Sequence, residues 1–114
     1  MNPDNVTRLD DSAAVTGFVS DHAAALVYFG GDHCNVCQKV RPQVWSLMAE
    51  RFPRIALAYV DTETNREAAA QHGVLSIPTL VVWFEQGEFL RKVRSFGLGE
   101  LQRDLERPYG LFFD

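Results

Sequence analysis

Ala24-Ala25-Leu26-Val27-Tyr28-Phe29 followed closely by Cys34-Asn35-Val36-Cys37 is the stretch whose reading decides the fold, and its two cysteines are the only ones in the chain. The apolar run reads as a strand, and the Cys-x-x-Cys segment sits where that strand hands over to a helix. Cys34 then lies at the helix N-terminus, where unpaired backbone N–H groups and the helix dipole favour an anion. A thiolate there becomes accessible near neutral pH. Cys37, one helical turn further on, can close a disulfide within that turn. The spacing by itself leaves a second reading open, since Cys-x-x-Cys also supplies half the ligands of many zinc sites.

Working outward, Cys37, Val40, Val44, Leu47 and Met48 keep helical period, and Trp45, Met48 and Phe52 widen that stripe. Pro42 lies inside this helix and is expected to kink it. Leu26–Phe29 and Ile55–Val60 are nearly continuous apolar runs, the pattern of strands buried on both faces. Val6–Leu9 is a short strand. Asp10, Asp11 or Ser12 caps a helix whose Val15, Phe18, Val19 and His22 recur at i, i+3, i+4 and i+7. Thr64-x-x-Glu67 predicts a capping box for a short helix through Gln71 or His72, with Gly73 as its left-handed stop. Leu80–Phe84 and Glu88–Val93 form an antiparallel pair with Gln86-Gly87 at the turn. Arg91, Lys92 and Arg94 on the last strand suit an exposed sheet edge. Leu98, Leu101 and Leu105 mark a closing helix that ends before Pro108. Strands alternating with helices, then a hairpin, give an α/β three-layer sandwich with a mixed central sheet.

Composition bounds the function. A chain of 114 residues suits a single domain, read here as residues 1–107 with an apolar tail over 108–114. A net charge of −4 with scattered basic residues argues against nucleic-acid binding, which requires a concentrated basic face. No apolar stretch approaches the roughly 20 residues that span a bilayer, so no membrane insertion is expected. Met1–Asp11 is polar and acidic, with no sign of a secretory leader. Two cysteines do not make a disulfide-stapled secreted domain, and a cytoplasmic monomer is the expectation.

The order of these segments resembles the thioredoxin family over essentially Val6 to Arg107. Tyr28-Phe29, Cys34-x-x-Cys37 and Pro42, then Val60-Asp61-Thr62-Glu63-Thr64-Asn65, then Gly73-Val74-x-Ser76-Ile77-Pro78-Thr79-Leu80 carry the likeness. The resemblance implies a thioredoxin-like fold and a dithiol–disulfide oxidoreductase with Cys34 as nucleophile and Cys37 as resolving thiol. It implies a cis peptide before Pro78, which turns the Ile77 backbone toward the cysteines and a bound substrate strand. It also places Pro42 at the offset where the family carries a proline. No cofactor beyond the Cys34–Cys37 disulfide is implied. The partners implied are protein disulfide or dithiol substrates and a protein that donates or accepts their electrons.

The chain departs from the family pattern around this site. Asn35-Val36 replaces the usual Gly-Pro between the cysteines, a dipeptide that tunes the couple's potential, and a less reducing potential follows. Tyr28 stands where thioredoxins bury an aspartate beneath the second cysteine, and Tyr59 where many carry its lysine partner. Phenols, with an unperturbed pKa of about 10, are poor bases at neutral pH. His33 replaces a tryptophan, and a protonated imidazole there would stabilise the Cys34 thiolate, whereas Asp32 would oppose it. Arg94 aligns with a glycine of the family's substrate groove, where a long cation narrows the groove and favours acidic partners. His33, Asn35, Val36, Ile77, Pro78 and Arg94 are therefore the candidate substrate-binding residues. Tyr28, Tyr59 and Pro42 are candidate structural residues near the site. No metal is expected, because four ligands are needed and only His33 lies close to the cysteines. A general thioredoxin role is not expected. The competing readings are an adaptor with this fold and little turnover, and a metal or cluster site completed by a second chain.

Overall fold

The computed structural model describes residues 5–113. Met1–Asp4, part of the acidic start read as lacking a leader, and Asp114 of the tail lie outside the described residues. Along the chain run β1 (Val6–Arg8), α1 (Ser12–Asp21), β2 (Ala24–Gly30), α2 (Asn35–Arg51) and β3 (Ala56–Asp61). Then come α3 (Arg66–Gln71), β4 (Thr79–Phe84), β5 (Gly87–Val93) and α4 (Leu98–Phe113). The five strands form one sheet in the order β1-β3-β2-β4-β5. β3 pairs in parallel with β1 and β2, whereas β4 runs antiparallel to both β2 and β5. The sheet is therefore mixed.

Alternation along the central strands assigns each side chain to a layer. Leu26, Tyr28, Leu57, Tyr59, Leu80 and Val82 face α2 and α4, meeting Val44, Trp45, Met48, Leu101 and Leu105. Ala25, Val27, Phe29, Ala58, Val60 and Val81 face α1 and α3, meeting Val15, Phe18, Val19, Ala68 and Ala69. β2 is buried along its whole length, the burial that its unbroken apolar sequence requires.

Four local expectations are corrected. His22 does not extend the buried stripe of α1; it is exposed at the C-cap, where its Nδ1 lies 2.8 Å from the Phe18 carbonyl oxygen. The capping box does not form at α3. Asn65 is the N-cap, and both the Thr64 hydroxyl and the Asn65 amide donate to the Asp61 carbonyl instead. The hairpin turn centres one residue earlier than Gln86-Gly87. Phe84 pairs with Gly87, and Glu85 and Gln86 both take positive φ, 48° and 71°, the twist that suits a two-residue hairpin.

The fourth correction concerns the C-terminus. α4 does not stop before Pro108 but continues to Phe113 with the proline inside it. Pro108 has no N–H to give the Asp104 carbonyl, and its ring crowds that carbonyl. Tertiary contacts hold the continuation in place. Tyr109 packs edge-on to Phe52 with ring centroids 5.1 Å apart, and Phe112 lies 5.1 Å from Phe84. The Arg54 backbone N–H donates to the Tyr109 hydroxyl at 3.1 Å, and the Arg54 guanidinium donates to the Phe113 carbonyl at 3.2 Å. The aromatic tail folds back on the domain.

Candidate active site

β2 delivers the chain to the start of α2. Cys34 is the N-cap of that helix, in extended conformation, and its sulfur accepts from the Cys37 N–H at 3.2 Å. Cys34 and Cys37 are disulfide-bonded, with Cα atoms 5.2 Å apart. Their burial differs. Cys37 is 2% exposed, while Cys34 is half-buried and borders a groove. Close packing under the disulfide depends on Gly30, where a Cβ would sit 3.0 Å from Tyr28 Cε1 and 3.3 Å from Cys37 Cβ.

The opposite wall of the groove comes from the loop before β4 and the exit of β5. The Ile77–Pro78 peptide is cis. Thr79 pairs with Val93, so the next residue along β5 reaches Pro78: the Arg94 N–H donates to the Pro78 carbonyl at 2.6 Å. Cys34, Val36, Ile77, Pro78, Arg94 and Phe96 enclose a cavity of about 280 Å³. Four of the six candidate substrate-binding residues thus converge on Cys34. Asn35 and His33 are exposed at the rim, outside the groove wall. The His33 imidazole engages a carboxylate: its Nδ1 lies 3.4 Å from Glu63 Oε1, which also accepts the His33 backbone N–H at 2.8 Å. The β3–α3 loop presents Glu63 to that side, which gives His33 a partner other than the cysteine. Pro42 is exposed, inside an α2 that runs unbroken from Asn35 to Arg51.

Beneath the cysteines, both tyrosines are fully buried. The Tyr28 hydroxyl donates to the Cys37 carbonyl at 3.1 Å, and the Tyr59 hydroxyl donates to Asp32 Oδ1 at 3.1 Å. Burial pushes both phenols far above the usual tyrosine range, against the pull of the Arg41 guanidinium. Neither can take a proton near neutral pH.

Sequence reasoning missed the charge network that surrounds Tyr59. The guanidinium carbons of Arg41 and Arg8 lie 4.5 and 5.3 Å from the Tyr59 ring centroid. Arg8 bridges Asp32 and Asp61 at 3.5 Å each, and Arg41 approaches Asp32 at 4.0 Å. Asp61 is itself buried and accepts the Glu63 N–H at 2.9 Å. Burial raises the Asp32 carboxyl slightly, but the hydrogen bond from the Tyr59 hydroxyl and the charge of Arg8 outweigh it, holding Asp32 below the usual range. One signal was legible. Arg41 lies four residues after Cys37 and three before Val44, so it is a charge on the buried stripe of α2.

A family model described as thioredoxin matches residues 7–105. The chain belongs to the thioredoxin family. It is 28% identical over 107 residues to the thioredoxin-like protein YdfQ of Bacillus subtilis, covering 94% of this chain and 95% of that protein. It is 31% identical over 98 residues to a thioredoxin of Mycobacterium tuberculosis, covering 86% and 84% respectively. Among solved structures, a mutant thioredoxin from Halobacterium salinarum superposes with a TM-score of 0.78 at 28% identity, covering 96% of this chain and 94% of that one. The thioredoxin fold therefore accounts for the sheet order, the Cys-x-x-Cys disulfide at the start of α2, and the proline loop facing it.

Proposed function

We propose that this thioredoxin-family chain is a dithiol–disulfide oxidoreductase acting on protein disulfides, with a narrower substrate range than a general thioredoxin. The reading rests on the asymmetry of the two cysteines: Cys34 caps α2 and borders the groove, while Cys37 is sealed beneath it. The Cys34 thiolate attacks one sulfur of a substrate disulfide, forming a mixed disulfide and releasing the first substrate thiolate. Cys37, as thiolate, then attacks Cys34 Sγ; the mixed disulfide breaks and the second substrate thiolate leaves. Two electrons pass from the dithiol to the substrate, and a donor protein restores the dithiol. In the oxidising direction each step runs in reverse. The chemistry needs no cofactor or metal, and the proposed setting is the cytoplasm, with the chain acting as a monomer.

Trapping tests it. Cys37→Ser leaves the first covalent step intact and blocks the second, so it should accumulate mixed disulfides with proteins of a cell lysate, released by dithiothreitol. Cys34→Ser should accumulate few. If neither variant captures a partner and the reduced wild type does not reduce insulin, the enzymatic reading falls and an adaptor role replaces it.

A further inference from the structure

Among the described residues, Arg94 is the only charged one in the wall of the groove beside Cys34. On β5, the strand that leads to it, Arg91 binds Glu88 at 2.9 Å and Lys92 is held by Glu100 and Asp104. Among the described residues Arg94 faces no carboxylate within ion-pair distance, and it is exposed. Its backbone is also unusual, with φ at 59° in the left-handed region that glycine occupies freely and side chains disfavour. The hydrogen bond from its N–H to the Pro78 carbonyl fixes that conformation against the groove. Arg94 thus stands beside the disulfide, at a costly backbone position and with no carboxylate partner among the described residues.

We propose that Arg94 makes the groove selective for acidic peptide segments, in which an Asp or Glu lies next to the cysteine that reacts with Cys34. The guanidinium presents a planar fork of donors that matches a carboxylate in two-point contact. The rest of the wall is Val36, Val40, Ile77, Pro78 and Phe96, all apolar, with the uncharged Ser95 beside Arg94, so it offers no competing charge. The whole chain carries a net charge of −4, so an acidic segment is repelled in general and attracted only where a cation is exposed. This inference rests on the oxidoreductase reading and deepens it by naming the substrate class.

The test uses three short peptides that differ only in the residue next to one cysteine, Glu, Gln or Lys, each as a mixed disulfide with a chromophoric thiol. Pre-reduced protein, freed of small thiols, is mixed with each in single-turnover amounts. Its dithiol becomes the Cys34–Cys37 disulfide as peptide thiol and chromophore are released. For the wild type the Glu peptide should react about five-fold faster than the Gln peptide, roughly 1 kcal/mol, and the Lys peptide more slowly than either. High salt should compress that order. Arg94→Gln should bring the Glu-to-Gln ratio to one, Arg94→Lys should keep most of it, and Arg94→Glu should reverse it in favour of Lys. A ratio that is one in the wild type, or unchanged in Arg94→Gln, overturns the inference. A parallel binding measurement uses the same peptides with serine for cysteine. If no peptide is reduced yet the Glu form binds more tightly in an Arg94-dependent way, the redox reading fails and the acidic groove stands. Loss of both the rate ratio and the binding difference removes the acidic groove itself.

Discussion

Tyr28→Phe removes one hydroxyl and leaves the ring in place, which makes it the cleanest probe of what lies under the disulfide. At neutral pH the variant loses the hydrogen bond to the Cys37 carbonyl, a loss of about 1 kcal/mol. The ring's contacts with Trp45 and Tyr59, at centroid distances of 5.8 and 6.3 Å, persist. At alkaline pH the gap closes. Burial raises the phenol pKa in the folded chain above the ordinary value of 10.0. The stability tied to the neutral phenol is therefore complete below pH 10 and is lost as pH rises beyond it, because only the unfolded chain ionises there. By pH 11 each such tyrosine removes on the order of 1 kcal/mol, so Tyr28 and Tyr59 together remove on the order of 2 kcal/mol from the wild type. The variant retains only the Tyr59 share. Lys92, whose pKa is raised first by its hydrogen bonds to Asp104 and Glu100, loses stability over the same range in both proteins and cancels. Urea unfolding of the oxidised proteins, repeated from pH 7 to pH 11, should show wild type ahead by about 1 kcal/mol at pH 7, with the two curves meeting near pH 11. A gap that stays constant across that range would refute the claim that Tyr28 is a buried neutral phenol.

Two further outcomes follow from other parts of the fold. Phe112→Ala should lower stability by about 2 kcal/mol, roughly half the cost of truncating a fully buried aromatic, without altering the insulin-reduction rate. An unchanged unfolding midpoint would show that the end of α4 does not dock on Phe84. His72 is half-buried and packed against Phe29 and Trp83, and burial holds its imidazole below the ordinary value of 6.5. The neutral ring is favoured by folding, so the associated stability is present above pH 6.5 and is lost as pH falls below it. His72→Gln should flatten the acid side of the stability profile, and a profile as steep as the wild type's would disprove that role.

The fold was legible wherever a short-range pattern and the tertiary structure agree. The apolar runs of β2 and β3 are buried because nothing but a doubly covered strand can hold them, and Gly73 stops α3 with φ at 69°. The misreadings share one cause, a local signal outcompeted by a distant partner. Thr64 does not cap α3 because the Asp61 carbonyl takes its hydroxyl. α4 passes Pro108 because Arg54, Phe52 and Phe84, remote in sequence, hold the turn beyond it. The same holds at the site. Cys34, Cys37 and Pro78 could be read through the likeness to thioredoxins. The network of Arg8, Asp32, Arg41 and Asp61 joins four separate parts of the chain, and no spacing rule connects them.

That network changes what the site can do with charge. In the family pattern, an aspartate and a lysine sit buried beneath the second cysteine. Here Tyr28 and Tyr59 fill those positions, and burial keeps both neutral. The nearby carboxylates are the exposed Asp32 and the buried Asp61; Arg8 bridges both and Arg41 approaches Asp32. An isolated buried charge is costly, whereas two neutral phenols leave the region under Cys37 uncharged with both hydroxyls hydrogen-bonded. In the proposed reaction the proton of Cys37 therefore cannot pass to a residue at position 28, and resolution of the mixed disulfide should be slower than with a buried acid. The uncompensated charge near the disulfide lies instead on its open side, where Arg94 is the one charged residue of the groove wall among the described residues. Slower resolution prolongs the mixed disulfide, and a longer-lived intermediate leaves more time for an ill-matched partner to return to starting material. On the proposed reading, such a site would give up turnover for discrimination between substrates.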